Sequence, residues 1–274
     1  MRRPKPPVTP LERTKSALNH LEKWAYLHGL RPTPRMPLPD FLGIGAQKSG
    51  TSWLDANLRH HPDVYLPPRK ELHYWDRQYD RSLRSYSRKF RGAGSRLKGE
   101  ITPFYSILPV ERIRMIHAIR PDTKLIFLMR NPVERAWSHA LMRLVKRRNR
   151  RFEDVSEQEF LEQFRHRGSL RLGDYPRILA SWLSVFPEEQ LFVGFFEDVK
   201  ERPRELLTGV MEHLGLRTDI DWDSMPYHEV VHGGVKVRMP EKYRKVLQEM
   251  YQRDLEALHE RFGAPVSRWM TPKS

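Results

Sequence analysis

Phe41-Leu42-Gly43-Ile44-Gly45-Ala46-Gln47-Lys48-Ser49-Gly50-Thr51-Ser52-Trp53-Leu54 changes character twice within one short span. Phe41 to Ile44 is an apolar run of strand length. Ala46 to Ser52 is a small-residue turn carrying one lysine, Lys48, and three hydroxyls, Ser49, Thr51 and Ser52. Trp53, Leu54 and Leu58 then recur at helical spacing. A strand, a polar glycine turn and a helix start together hold anions well. The first helical N–H groups lack intrahelical acceptors, and the helix dipole favours negative charge there. Lys48 adds a mobile cation and the hydroxyls add donors. The spacing is not that of a Walker A loop, which runs G-x-x-x-x-G-K-S/T. Here Lys48 precedes Gly50 by two positions, and Thr51 follows Gly50. A plain strand-to-helix turn needs neither the lysine nor three hydroxyls, so the stretch reads as a P-loop-like phosphate loop of another kind.

A second unit of the same kind lies downstream. Leu125-Ile126-Phe127-Leu128-Met129 is wholly apolar, as a central parallel strand is. Asn131-Pro132 then supplies an N-cap and a first-turn proline. The following helix places Ser138 two turns beyond Asn131. Arg130 stands at the strand end, so Arg130 and Ser138 can converge on one anion at the carboxyl edge of the sheet, where open α/β folds bind ligands. Further strands are expected at Val64–Leu66 and Leu191–Phe196, and helices at 156–166, 175–186, 203–214 and 240–262. Alternating strands and helices predict an α/β fold: three layers, α/β/α, around a mostly parallel sheet.

Residues 1–39 read as an extension and 40–274 as one domain. Met1–Pro10 is rich in proline and cations and reads as an unstructured head. Leu11–His28 has Leu11, Leu18, Leu21, Trp24 and Ala25 near one face, as a helix packed on the domain would. Four prolines between Arg31 and Pro39 mark a linker. The adjacent His60 and His61 cannot face each other on a helix and read as a surface helix end, not a metal pair. Late in the chain, Tyr227–Met239 is a polar loop with His232, Gly233, Gly234, Lys236 and Arg238.

Composition sets outer limits. The 274 residues carry 49 Lys and Arg against 34 Asp and Glu, a formal charge of +15. That attracts anions without choosing between nucleotides, acidic glycans, lipids and nucleic acid. Absence of cysteine excludes disulfides, zinc-thiolate sites and thiol catalysis. No stretch reaches the length of a membrane span, and the basic N-terminus has no apolar leader run. These features lead to the expectation of a cytoplasmic, bacterial protein.

The motifs together resemble the sulfotransferases that use 3′-phosphoadenosine 5′-phosphosulfate (PAPS). Gln47-Lys48-Ser49-Gly50-Thr51-Ser52-Trp53-Leu54 is similar to the family's 5′-phosphosulfate loop. Arg130-Asn131-Pro132 with Ser138 is similar to its 3′-phosphate element. Lys70-Glu71-Leu72-His73-Tyr74-Trp75-Asp76 resembles the segment bearing the catalytic glutamate in the heparan-sulfate-type branch. The resemblance implies PAPS as co-substrate, adenosine 3′,5′-bisphosphate as by-product and no metal. It implies nucleotide contacts from Lys48, Ser49, Gly50, Thr51, Ser52, Arg130 and Ser138, with Lys236 closing from the late loop. Trp53 resembles the adenine-stacking tryptophan of the cytosolic branch. One departure is Ile101, within Glu100-Ile101-Thr102-Pro103, where the heparan-sulfate branch has a lysine. That branch's acceptor is therefore not carried over; a glycan, lipid or secondary-metabolite hydroxyl remains open.

The chemistry suits the residues. Sulfuryl transfer needs in-line positioning and charge stabilisation. Lys48 can stabilise the bridging oxygen as it leaves. Glu71 is the expected general base and His73 the second choice, since neighbouring aromatics raise a buried carboxylate's pKa. A P-loop-type nucleotide kinase is a competing reading, weakened by the displaced lysine. A non-enzymatic binder of acidic polymers is another, weakened by dispersed cations and the lack of any nucleic-acid recognition motif.

Overall fold

The computed structural model describes residues 9–229, 231 and 233–270. Most of the expected head, residues 1–8, lies outside the described residues, as does His232. Five strands form the sheet: β1 (Phe41–Gly45), β2 (Val64–Tyr65), β3 (Leu97–Ile101), β4 (Lys124–Met129) and β5 (Leu191–Phe195). Their order is β2-β3-β1-β4-β5, and every pair is parallel. The chain fills one side of β1 first and then crosses to the other. The carboxyl ends of β1 and β4 therefore flank the point where the winding reverses, the crevice in which such sheets bind ligands.

Side-chain alternation along the strands divides the core. Leu125, Phe127 and Met129 pack with Leu42, Ile44, Ile113, Ile116, Leu179 and Trp182. Ile126 and Leu128 point the opposite way and pack with Phe41, Ile101, Leu54, Leu58, Leu207 and Met211. The helices Val110–Ile119 and Tyr175–Leu183 thus cover one face. The helices α2 (Thr51–His60) and Pro203–Leu214 cover the other. Two glycines permit close strand contacts. A Cβ on Gly99 would stand 2.0 Å from Phe41 Cζ, and one on Gly43 would stand 2.8 Å from Ile101 Cγ1. Between Gly43 and Gly45 the β1–β4 register slips, a bulge that turns the chain into the phosphate loop.

The N-terminal helix forms, but its orientation differs from the expectation. In α1 (Pro10–Leu27), Thr9 and Glu12 make a capping box. The face expected to pack inward is outside: Leu11, Leu18, Leu21 and Trp24 are all exposed. Instead Lys23 and Tyr26 are buried. Lys23 Nζ donates to the carbonyls of Tyr79 (2.7 Å) and Arg81 (2.8 Å), and Asn19 Nδ2 donates to Asp80 O (2.8 Å). Polar side chains satisfying loop carbonyls, together with Tyr26 and Leu27 packed on the core, fix this helix. His61 also departs from the reading. It is 1% exposed, accepts from Asp63 N at Nδ1 and pairs with Arg217 O at Nε2.

Candidate active site

The phosphate loop follows the β1 bulge. Gly50, at φ 86°, is the N-cap of α2, and Lys48 is a non-glycine residue at φ 74°. Left-handed non-glycine backbone is uncommon and collects at functional sites. Leu54 N–H is the first to bond back, to Gly50 O at 3.0 Å. The N–H groups of Thr51, Ser52 and Trp53 have no backbone acceptor among the described residues, which leaves an anion seat at the helix start. Burial lowers the Lys48 pKa, and the charges of Arg130, Lys146 and Arg147 lower it further. A bound anion would reverse that electrostatic cost, so the loop fits a phosphate-type group.

Three members of the loop are less accessible than the sequence implied. Ser49 is fully buried, its Oγ beneath the loop without a partner among the described residues. Thr51 is also buried, at 6% exposure, so Ser52 is the most accessible of the three hydroxyls. Trp53 is 3% exposed in the apolar cluster below β1, and its Nε1 donates to Tyr227 O at 2.8 Å. The Tyr227 segment covers the indole that was expected to meet adenine.

The residues expected to form a second anion seat begin at Arg130, which reaches the phosphate loop. Asn131 Oδ1 caps the Pro132–Leu144 helix by accepting from Val133 N at 2.9 Å. Arg130 Nη1 donates to Lys48 O at 3.3 Å, and its guanidinium lies 4.8 Å from the Phe196 ring centre. Tyr175 Oη donates to Arg130 O at 3.0 Å, fixing the strand end. Ser138 is partly exposed two turns along the helix. A Cβ on Gly234 would lie 3.9 Å from its Oγ, and Trp137 Nε1 donates to Val237 O at 3.0 Å. The late loop therefore crosses above Ser138, with Lys236 and Arg238 exposed upon it.

Beside the loop stands an acid–base group. His73 Nε2 lies 2.9 Å from Glu71 Oε2, and His73 Nδ1 lies 2.8 Å from Asp76 Oδ2. Burial pulls the imidazole pKa down, but hydrogen bonds to Asp76 and Glu71 outweigh it and raise it to about 9. His73 is thus a cation at neutral pH, held between two carboxylates. Glu71 pairs with His73 and not with its neighbour Lys70. Lys70 Nζ instead crosses to Thr51 O at 2.6 Å and Ser52 Oγ at 3.4 Å, tying this segment to the phosphate loop. Burial lowers its pKa to about 8.

Several participants were not read from the sequence as site residues. Asp76 closes the His73 pair through the short helix α3 (Tyr74–Arg77), whose start at the left-handed His73 has no periodic signal. Tyr105 Oη accepts from Tyr74 N (2.8 Å) and Trp75 N (3.2 Å) and donates to Glu100 Oε1 (2.9 Å). Arg112 Nη1 donates to the carbonyls of Trp75 and Asp76, each at 2.9 Å. Arg135 is fully buried, and its Nη2 donates to Ser169 O at 3.0 Å. Side-chain type marks neither Tyr105, Arg112 nor Arg135, because each acts on a backbone group far away in the chain.

The chain is similar to known proteins of one family. Residues 38–231 match the family of the sulfotransferase domain. Mouse heparan sulfate glucosamine 3-O-sulfotransferase 6 is 35% identical over 196 residues, 67% of this chain and 54% of its own length. The membrane-associated sulfotransferase kil1 of Dictyostelium discoideum is 38% identical over 105 residues, 37% of this chain and 22% of its own. The chain spans about half the length of the 3-O-sulfotransferase relatives it matches. The crystal structure of a sulfotransferase from Alicyclobacillus acidocaldarius superposes with a TM-score of 0.69 at 28% identity, covering 85% of this chain and 99% of the other.

These relatives overturn the expectation of a cytoplasmic, bacterial chain. They include eukaryotic proteins, one of them named as membrane-associated. That expectation rested on absent features, the lack of a span-length stretch and of an apolar leader run, and a relative sharing the matching region is named as membrane-associated. No described helix is long and apolar enough to cross a membrane. With its phosphate loop, Arg130 element and matching domain, the chain belongs to the sulfotransferase family.

Proposed function

We propose that this protein transfers the sulfuryl group of PAPS to an acceptor hydroxyl. The observation that carries the reading is the coupling of two cationic seats through Arg130 and Lys48, with Glu71 adjoining them through Lys70. One seat suits the 5′-phosphosulfate, with Lys48 and the free N–H groups of α2. The other suits the 3′-phosphate, with Arg130 and Ser138. Glu71 takes the acceptor proton as the acceptor oxygen bonds to sulfur. The bond from sulfur to the bridging oxygen breaks, and Lys48 stabilises the charge arriving on that oxygen as adenosine 3′,5′-bisphosphate leaves. His73, being protonated, serves as the partner that orients Glu71. No metal takes part in this scheme.

The acceptor class to test first is a glycan hydroxyl, because relatives are named for heparan sulfate glucosamine. The charges of Lys146 and Arg147, felt at Lys48, favour an anionic acceptor. The nucleotide half of the proposal has a direct test. Adenosine 3′,5′-bisphosphate at a hundred times its Kd should stabilise the protein by about 2.7 kcal/mol in thermal unfolding. Arg130→Ala should weaken that response at a fixed nucleotide concentration. Absence of any melting shift, or a preference for Mg·ATP, would sink the proposal in favour of a kinase.

A further inference from the structure

We infer that the outer face of α1 is a docking surface for an anionic lipid membrane. The inference does not depend on the sulfuryl-transfer reading. The six large apolar residues most exposed on the described surface include Leu11, Leu18, Leu21 and Trp24 of α1, followed by Leu30. At about 100° per residue, Leu11, Leu18, Leu21 and Trp24 form one stripe on the helix, pointing away from the buried Lys23 and Tyr26. Exposed Arg13 and Lys15 border that stripe on its two sides. An apolar stripe with a tryptophan, edged by cations, is the pattern of a helix lying in a bilayer interface.

Two observations select lipid as the occupant. The first is charge. Residues 1–39 hold eight Lys and Arg (positions 2, 3, 5, 13, 15, 23, 31 and 35) against Glu12 and Glu22 only. Two copies of a chain with formal charge +15 repel each other, whereas an anionic headgroup layer attracts it. The second is shape. A groove of about 1080 Å³ opens beside the stripe, walled by Leu21, Trp24, Leu27, Tyr79 and Met115, with Arg13 and Arg112 among its lining residues. Apolar walls suit an acyl chain and Arg13 a phosphate headgroup, while Arg112 is held by the Trp75 and Asp76 carbonyls and Glu111 completes the lining.

The test uses the full chain and sedimentation with vesicles. It should bind phosphatidylcholine vesicles containing phosphatidylglycerol, with binding that weakens as salt rises, and should not bind phosphatidylcholine alone. Leu18→Asp/Leu21→Asp should reduce binding about tenfold or more with an unchanged melting temperature. Should that pair misfold, Arg13→Glu/Lys15→Glu tests the electrostatic half on its own and should also lose binding. Failure to bind anionic vesicles, equal binding to neutral ones, or binding indifferent to both variants overturns the inference. A lipid-free dimer that Leu18→Asp/Leu21→Asp dissolves also overturns it and assigns the face to a second copy.

Discussion

Glu71 and His73 carry the same chemical ambiguity in sequence, a carboxylate and an imidazole two positions apart. The structure separates them by charge. His73 sits between two carboxylates and holds its proton up to a pKa of about 9, so the proton acceptor is Glu71 in the proposed reaction. Glu71→Gln should lower turnover by about 10²–10⁴-fold while nucleotide affinity, measured by titration calorimetry, stays within a few-fold. An active Gln variant would remove Glu71 from the role of base. The position of Glu71 was legible through its family-like segment. Its partnership was not, because Asp76 reaches His73 only after a left-handed turn that residue types do not announce. Lys70 shows the same limit: the sequence displays a lysine beside a glutamate, yet its ammonium leaves that neighbour for Thr51 O.

At the scale of elements, β1 and β4 were readable because both their faces are buried, which forces unbroken apolar runs. The Asn131-Pro132 cap was equally plain, since it uses local bonds alone. The orientation of α1 was misread for a physical reason. An apolar stripe is ordinarily the inward face, but here Lys23 and Asn19 join Tyr26 and Leu27 on that face as donors to loop carbonyls, and carbonyl positions leave no trace in residue type. The sheet also depends on absent side chains. Gly99 gives up its side-chain volume to the Phe41 ring across the β1–β3 pair. Gly99→Ala should destabilise the protein by about 1–3 kcal/mol through overpacking, read from urea unfolding. A smaller effect would mean that Phe41 relaxes without strain.

For the whole molecule, the buried Glu100 links folding to pH. Burial raises its carboxyl to about 7, although Tyr86, Tyr105 and Thr102 all donate to it. Raised above an unfolded value of 4.5, it stabilises the fold fully at acid pH and loses that contribution as pH rises through about 7. The linked loss is about 3 kcal/mol. Melting temperatures followed between about pH 5 and about pH 8 should fall less steeply in Glu100→Gln than in the parent. Parallel slopes would show that Glu100 does not control this dependence. The ammonium of Lys23 has a different reach, into where the protein can be cut. Likeness to the family begins at residue 38, and a boundary drawn by likeness alone discards that lysine with the rest of α1. The carbonyls of Tyr79 and Arg81 then lose their donor just past Asp76, on the segment that carries Glu71. A fragment that begins at residue 38 would keep the phosphate loop, the Glu71 segment and the Arg130 element and lose the clamp that holds one of them in place.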